Sequence, residues 1–551
     1  MKPKIEMENN LLQRQSESGC PASPYGLKYF WVCFMLVNLL HICTFVEGTL
    51  GDDTSPPVPQ FEIREFVVEG NTIFHDDRLV SVLKPFRGPQ KTAEDVEKAR
   101  QVLEQYHHEH GYPTALVNIP EQSVEEGIVR LEVIESKVRR VRASGNRYFT
   151  RERLLNMMPA FRPGEILYLP AVQQQLARVN RNPDLKVAPV LMPGKQLGTI
   201  DVEFKVKDKL PLHGDLELNN RSTHTTTDTR LNASLRYENL WQKEHSIALQ
   251  YQTAPEDTDE VKLIVGSYGL PSPLNHDHLL TLYGLVSDSD TATAENITIQ
   301  GEGFEVGLRY MIELPYLESL YHDLVLGIHY KDFDDTIADE IETPVRYLPL
   351  SAAYTAVLPD DWGQSSISWQ LNFNLRQLSS DEDDFENKRA ATDGNFFYTT
   401  LELQRDQKLP AGAYLWLKAD AQWADQALIS NEQYAAGGIE SVRGYKESEV
   451  VGDKALHAVV ELRSPELGEL TGIGRWLEFT PYLFYDTAAV RVKDPLEGED
   501  PGTTIAGTGV GLRGYLFKRF RYQCDGAVAL RATDNTEKNA TSVHFRVQYL
   551  F

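Results

Sequence analysis

Cysteine is scarce in this chain. Four occur in 551 residues, and three of them (Cys20, Cys33 and Cys43) fall within the first 48. If that segment is removed, Cys524 alone remains, and one cysteine forms neither an internal disulfide nor a metal cluster. After residue 48 there is no apolar run long enough for a membrane-spanning helix. Charged residues make up 25% of the chain, which excludes a helical membrane bundle. An excess of positive charge is also missing. Lys and Arg number 55 against 80 Asp and Glu, a net charge of −25, which argues against a nucleic-acid partner. The chemistry-bearing motifs are absent too: there is no Walker loop, no Gly-x-Ser-x-Gly elbow and no metal-ligand spacing. The cluster His107, His108, Glu109, His110 sits at a helix end, where imidazoles suit the dipole. No enzyme activity, cofactor or metal is therefore expected.

What is present begins with a leader. Lys28 precedes an apolar run from Tyr29 to Val46, and Gly48 could close a cleavage site. Asn38 and His41 weaken the alternative of an anchoring helix. Residues 1–48 are expected to be an export signal and 49–60 a short Asp/Pro-bearing linker, too short for a long plug helix. With 551 residues the chain is too long for one ordinary core.

A repeat follows. The order β-α-α-β-β can be read from Phe61, with helices over Asp76 to Leu83 and Ala93 to His108 and strands over Thr114 to Ile119 and Gly127 to Ile134. It recurs from Val141. Gly70-Asn71-Thr72-Ile73-Phe74 is echoed by Gly145-Asn146-Arg147-Tyr148-Phe149, 75 residues later (70 to 145). A repeat of this size means two copies of one small domain, expected over 61–136 and 137–209.

From Leu210 the texture changes to short alternating segments of about ten residues, the length of a tilted strand across a bilayer. Sixteen can be counted. Their odd connections are long and acidic, for example Asp381-Glu382-Asp383-Asp384, and read as solvated loops; their even ones are short. The aromatic content of 10% suits a barrel with aromatic girdles. The chain stops mid-strand, with Val543, Phe545, Val547, Tyr549 and Phe551 on one face. A last strand that pairs with the first would remove both sheet edges. The expectation is a 16-stranded antiparallel transmembrane β-barrel over 210–551, preceded by two small α+β domains.

The repeated turn motifs and element order resemble the POTRA domain of outer-membrane transport and assembly proteins. The terminal aromatic strand resembles the sorting signal of bacterial outer-membrane barrels, which implies contact with the barrel assembly machinery and with outer-membrane lipid and lipopolysaccharide. The stretch Glu432 to Tyr445, which ends Val442-Arg443-Gly444-Tyr445, lies in the sixth outer connection (424–454). Taken with the barrel and the paired domains, it resembles the two-partner secretion transporters, the TpsB family of haemolysin secretion and activation proteins. That resemblance implies that Arg443 meets an acidic residue on the thirteenth strand, within a Phe-x-Asp-x-Gly pattern. Phe484 and Asp486 match the pattern, and Ala488 stands where the family has Gly. Arg513-Gly514-Tyr515, inside the fourteenth strand, reads as a decoy. The implied partner is a large exported protein of β-helical type, recognised by its N-terminal region and secreted unfolded without ATP. The alternative is a factor that inserts other barrels into the membrane.

Overall fold

The computed structural model describes residues 59–551, apart from 125, 289–290, 295–296, 301, 316, 318, 335, 338–340 and 499. The expected leader and nearly all of the linker lie outside the described residues. The first small domain comprises β1 (Phe61–Ile63), β2 (Glu65–Glu69), α1 (Asp76–Leu83), β3 (Gly88–Lys91), α2 (Ala93–Glu109), β4 (Ala115–Asn118) and β5 (Ile128–Glu135). The second comprises β6 (Lys137–Ser144), α3 (Arg151–Met157), α4 (Leu169–Arg181), β7 (Leu185–Pro193) and β8 (Thr199–Asp208). Each has a three-stranded sheet, ordered β2-β5-β4 and β6-β8-β7, with one parallel and one antiparallel pairing. Helix α2 starts at a capping box, in which Thr92 and Asp95 satisfy each other's backbone N–H groups. Its stripe of Val96, Ala99 and Leu103 packs on Phe66, Val129 and Leu131 of the sheet.

The repeated Gly-Asn turn has the same physical cause in both copies. Gly70 and Gly145 take φ of +79° and +87°, and a Cβ on either would sit 2.4 Å from a carbonyl oxygen, that of Val133 or Val206. Asn71 and Asn146 each donate through Nδ2 to the carbonyl of Phe74 or Phe149, at 2.6 and 2.9 Å. The backbone N–H groups of the turn converge on a carboxylate at the end of the last strand. Glu135 accepts from Thr72 and Ile73, and Asp208 accepts from Arg147, Tyr148 and Phe149.

The remainder closes into a barrel of sixteen antiparallel strands. They are Leu212–Asn219, Arg230–Leu240, His245–Thr253, Lys262–Pro271, Leu279–Asp288, Glu302–Glu313, Tyr321–Asp334, an eighth broken into Val345–Tyr347 and Leu350–Asp360, Gly363–Phe373, Phe397–Lys408, Tyr414–Ala424, Lys454–Arg463, Leu477–Arg491, Gly502–Leu516, Phe520–Ala529 and Thr541–Leu550. Strand 16 pairs with strand 1 in the register Arg546↔Asn219 to Leu550↔Asp215, and the terminal Phe551 exchanges backbone hydrogen bonds with Gly214. Side chains alternate. On strand 12, Leu456, Val460 and Leu462 face outward and exposed, while His457, Val459 and Glu461 are buried inside. An apolar exterior of this kind is what a bilayer requires.

Two connections differ from the sequence expectation. The run at Asp381–Asp384 is not a plain solvated loop, because Glu382–Lys388 forms helix α5, whose first turn carries Glu382, Asp383 and Asp384. Carboxylates there complement the helix dipole. Connection 464–476 is not short and holds the helical turn Leu467–Thr471, capped by Glu466. The link between strands 14 and 15 is short, as expected, and turns at Phe517 and Lys518, both with positive φ, the geometry of a tight hairpin turn. The second small domain contacts the inner turns of the barrel: Gln242 donates to the Tyr148 carbonyl at 2.8 Å, and Arg178 pairs with Asp277.

Candidate functional site in the barrel lumen

The sixth outer loop, between strands 11 and 12, leaves the wall through a short hairpin (Tyr434–Ala436 with Val450–Gly452) and folds back into the lumen. Gly444 takes φ of +106° with its Cα close against the backbone of strand 15, and a Cβ there would lie 3.0 Å from the Ala529 nitrogen. That contact is open to glycine and leaves the flanking side chains free to reach the wall. Val442 enters an apolar cluster with Ala436, Ala488, Val490, Ile505 and Ala529. The methyl group of Ala488 is fully buried in that cluster, so alanine fits where the related pattern has glycine. Tyr445 is buried and donates from its hydroxyl to the Arg531 carbonyl at 2.8 Å.

Arg443 is the centre. Its Nε and Nη2 donate to Asp486 Oδ2 and Oδ1, each at 2.7 Å, the two-pronged geometry in which a guanidinium fork matches a carboxylate. Its backbone N–H also donates to Asp486, at 3.1 Å. Nη1 donates to Glu461 at 2.7 Å and lies 3.6 Å from Asp525. The guanidinium stacks 3.6 Å above the Phe484 ring. Asp486 and Asp525 are fully buried, and Glu461 and Arg443 nearly so. Thus Val442, Arg443, Gly444, Tyr445, Phe484 and Asp486 come together at one place on the inner wall. Gly70, Asn71, Phe74, Gly145, Asn146 and Phe149 lie in the small domains, Phe545, Val547 and Tyr549 lie on the last strand, and Phe551 follows its end.

Arg513 is not a spare triplet residue. It donates to the other oxygen of Glu461 at 2.5 Å and lies 4.0 Å from the Tyr482 ring, while Arg463 donates to the same oxygen at 2.8 Å. The cluster therefore holds three cations (Arg443, Arg463, Arg513) and three carboxylates (Glu461, Asp486, Asp525). Sequence reading missed Glu461, Asp525, Tyr482 and His544. The available signal was parity: Glu461 lies four residues after His457 on the same inward face of strand 12.

More anchors hold the loop elsewhere. Glu432 accepts from Lys331 Nζ and from the hydroxyls of Tyr347 and Tyr398, at 2.6 to 2.8 Å, on strands 7, 8 and 10. Asp453 receives both prongs of Arg389 and the N–H groups of Leu428 and Lys493, which ties three outer loops together. Gly444 N–H donates to His544 Nε2 on strand 16 at 3.0 Å. Among the histidines near the end of α2, the ring nitrogens of His107, His108 and His110 each bond a backbone carbonyl. Among the described residues no group of side chains has the arrangement of a metal site.

Residues 198–514, more than half of the chain, match the model of the haemolysin secretion/activation protein family ShlB/FhaC/HecB. The chain belongs to that family. Residues 61–136 match the ShlB-type POTRA domain, and the second small domain repeats its architecture. The outer membrane transporter CdiB of Dickeya dadantii is 21% identical over 79% of this chain and 78% of its own length. The solved structure of CdiB from Escherichia coli superposes with a TM-score of 0.62 at 17% identity, covering 91% of this chain and 93% of that one. BamA from Haemophilus ducreyi shares the fold, with a TM-score of 0.54 at 15% identity, covering 89% of this chain and 100% of that one. The fold alone does not separate transporter from insertion factor; family membership does, and it favours the transporter. The protein is a two-partner secretion transporter of the outer membrane, with its POTRA domains in the periplasm.

Proposed function

We propose that the chain takes up an unfolded exported partner of β-helical type through its POTRA domains, passes it through the barrel without ATP, and keeps the lumen occupied between passages with the sixth loop. It acts as a conduit and has no catalytic role. The observation that supports this most directly is the buried Arg443–Asp486 pair, which holds a loop inside the lumen where a transported chain must run. The sheet edges of the POTRA domains offer unpaired backbone to an extended client segment. Folding of the partner outside the cell supplies the direction.

The test is Arg443→Ala. Removing one member of a buried ion pair strands the other charge, at a cost of roughly 3–5 kcal/mol. The variant is expected to assemble as a heat-modifiable outer-membrane barrel and to secrete much less partner into the medium. Wild-type secretion from that variant would refute the role given to the loop.

A further inference from the structure

The outer rim of the barrel carries two cations side by side. Lys454 opens strand 12 and Arg491 closes strand 13, and the two are direct partners across the ladder. Opposed residues of an antiparallel pair project from one face, with Cβ atoms roughly 5 Å apart, and like charges there repel. The face is the lipid-facing one. Leu456, Val460 and Leu462, which share the parity of Lys454 along strand 12, are exposed on the apolar exterior. The chain has 80 acidic residues against 55 basic, yet among the described residues neither cation has a carboxylate partner. Lys454 Nζ lies instead 5.4 Å from the centre of the Trp423 ring. The nearby Asp425 is turned toward strand 10, where its carboxylate accepts the Phe397 N–H at 3.1 Å.

Aromatic residues fix the height of this pair. Trp423 is exposed, and its ring centre is 6.4 Å from that of Phe397. Thr399, the direct partner of Trp423 on strand 10, accepts from the indole N–H of exposed Trp369 at 2.9 Å. A belt of this kind marks the boundary between hydrocarbon and headgroups. Strand 12 starts directly after the sixth outer loop, so the boundary is that of the outer leaflet. In an outer membrane that leaflet is lipopolysaccharide, whose lipid A carries its phosphates just above the acyl chains.

We propose that Lys454 and Arg491 form a binding site for a lipid A phosphate of lipopolysaccharide. The guanidinium fork takes two phosphate oxygens and the ammonium a third, while an acyl chain lies below on Trp423 and Leu456. The phosphate removes the repulsion between the two cations. The site backs onto the fastening of the sixth loop. The Asp453 N–H donates to the Arg491 carbonyl at 3.0 Å, and the Asp453 carboxylate receives Arg389 and the Lys493 N–H. A phosphate that bridges strands 12 and 13 therefore steadies the point where the loop rejoins the wall. The site depends on the barrel's place in the outer membrane and stands apart from the transport reading.

Native mass spectrometry of the full chain in detergent tests the site with three probes: bisphosphorylated lipid A, lipid A stripped of its phosphates, and dioleoylphosphatidylglycerol. The unaltered protein is expected to hold bisphosphorylated lipid A roughly tenfold or more tightly than either other probe. Lys454→Ala with Arg491→Ala is expected to lose that preference. Lys518→Ala with Arg519→Ala, which removes two exposed cations at the opposite end of the barrel, is expected to keep it. Equal binding of bisphosphorylated lipid A by the first double variant and the unaltered protein overturns the proposal, as does a matching loss in the second. Phosphatidylglycerol bound as tightly as lipid A overturns it too, since the rim would then be a general anionic contact. Urea midpoints of the same barrels separate binding from folding. Without lipid A, Lys454→Ala with Arg491→Ala is expected to match or exceed the unaltered protein, because a like-charge pair is gone. Added bisphosphorylated lipid A is expected to raise the midpoint of the unaltered protein and not that of this variant. A lower midpoint of the variant without lipid A would assign the cations to the barrel's own structure and overturn the site.

Discussion

Arg443 shows how much of a residue's role depends on its neighbours. The triplet Arg-Gly-Tyr occurs at 443–445 and again at 513–515, so the letters do not separate a loop tip from a wall residue. The structure gives both arginines a place, since they bind opposite oxygens of Glu461. Setting buried Arg443 and half-buried Arg463 and Arg513 against three buried carboxylates keeps the cluster near neutral, which is the condition for taking charges out of water. Loss of the Arg443 side chain leaves three carboxylates with two cations. Removing Asp486 as well restores the balance. The double variant Arg443→Ala, Asp486→Ala is therefore expected to recover part of the roughly 3–5 kcal/mol lost by Arg443→Ala alone. The urea midpoint of the detergent-solubilised barrel measures this, and strictly additive losses would show that the two residues do not act as a pair. Secretion should stay low in both variants, because neither holds the loop.

At the scale of elements, helix α2 carries a pH response. His107 is fully buried, and its Nδ1 bonds the Leu103 carbonyl at 2.8 Å while Nε2 has no hydrogen-bond partner among the described residues. Protonation would place a second N–H in an apolar setting, so burial holds the imidazole below its ordinary value near 6.5. Below that value the unfolded chain binds a proton that the folded domain does not, so stability falls as pH drops through about 6.5 and levels off below the folded pKa. Once corrected for the slower intrinsic exchange at lower pH, the protection factors of the α2 amides are expected to be smaller at pH 5 than at pH 7. His107→Asn keeps a donor toward Leu103 and removes the titration, so the difference should shrink; an unchanged difference would assign it to other groups. Elements were the most legible level of this chain. Helices and strands follow from the periods 3.6 and 2, and the glycine-asparagine turn from its repetition. The carboxylates that close those turns, Glu135 and Asp208, were not legible, because they lie 59 to 63 residues downstream of their partners. Helix α5 was hidden by its own charge, since the acids that favour its first turn also describe a solvated loop.

For the whole molecule, the question is what holds the barrel and what fills it. Closure comes from an unbroken ring of strand pairings in which the sixth loop takes no part. The loop itself is fixed to two separated parts of the wall, at Glu432 on strands 7, 8 and 10 and at Arg443 on strands 12 and 13. A segment tied at both ends spans the lumen, and releasing one tie leaves the other. This separation of roles predicts that deleting residues 431–447 preserves the heat-modifiable barrel while raising its single-channel conductance in planar bilayers. Glu432→Gln keeps the volume and removes the charge that faces Lys331, so it should give an intermediate state, with frequent brief openings and slower secretion. Conductance unchanged by the deletion would mean that other outer loops fill the lumen, and the segments gathered at Asp453 by Arg389, Leu428 and Lys493 would be the first to remove next.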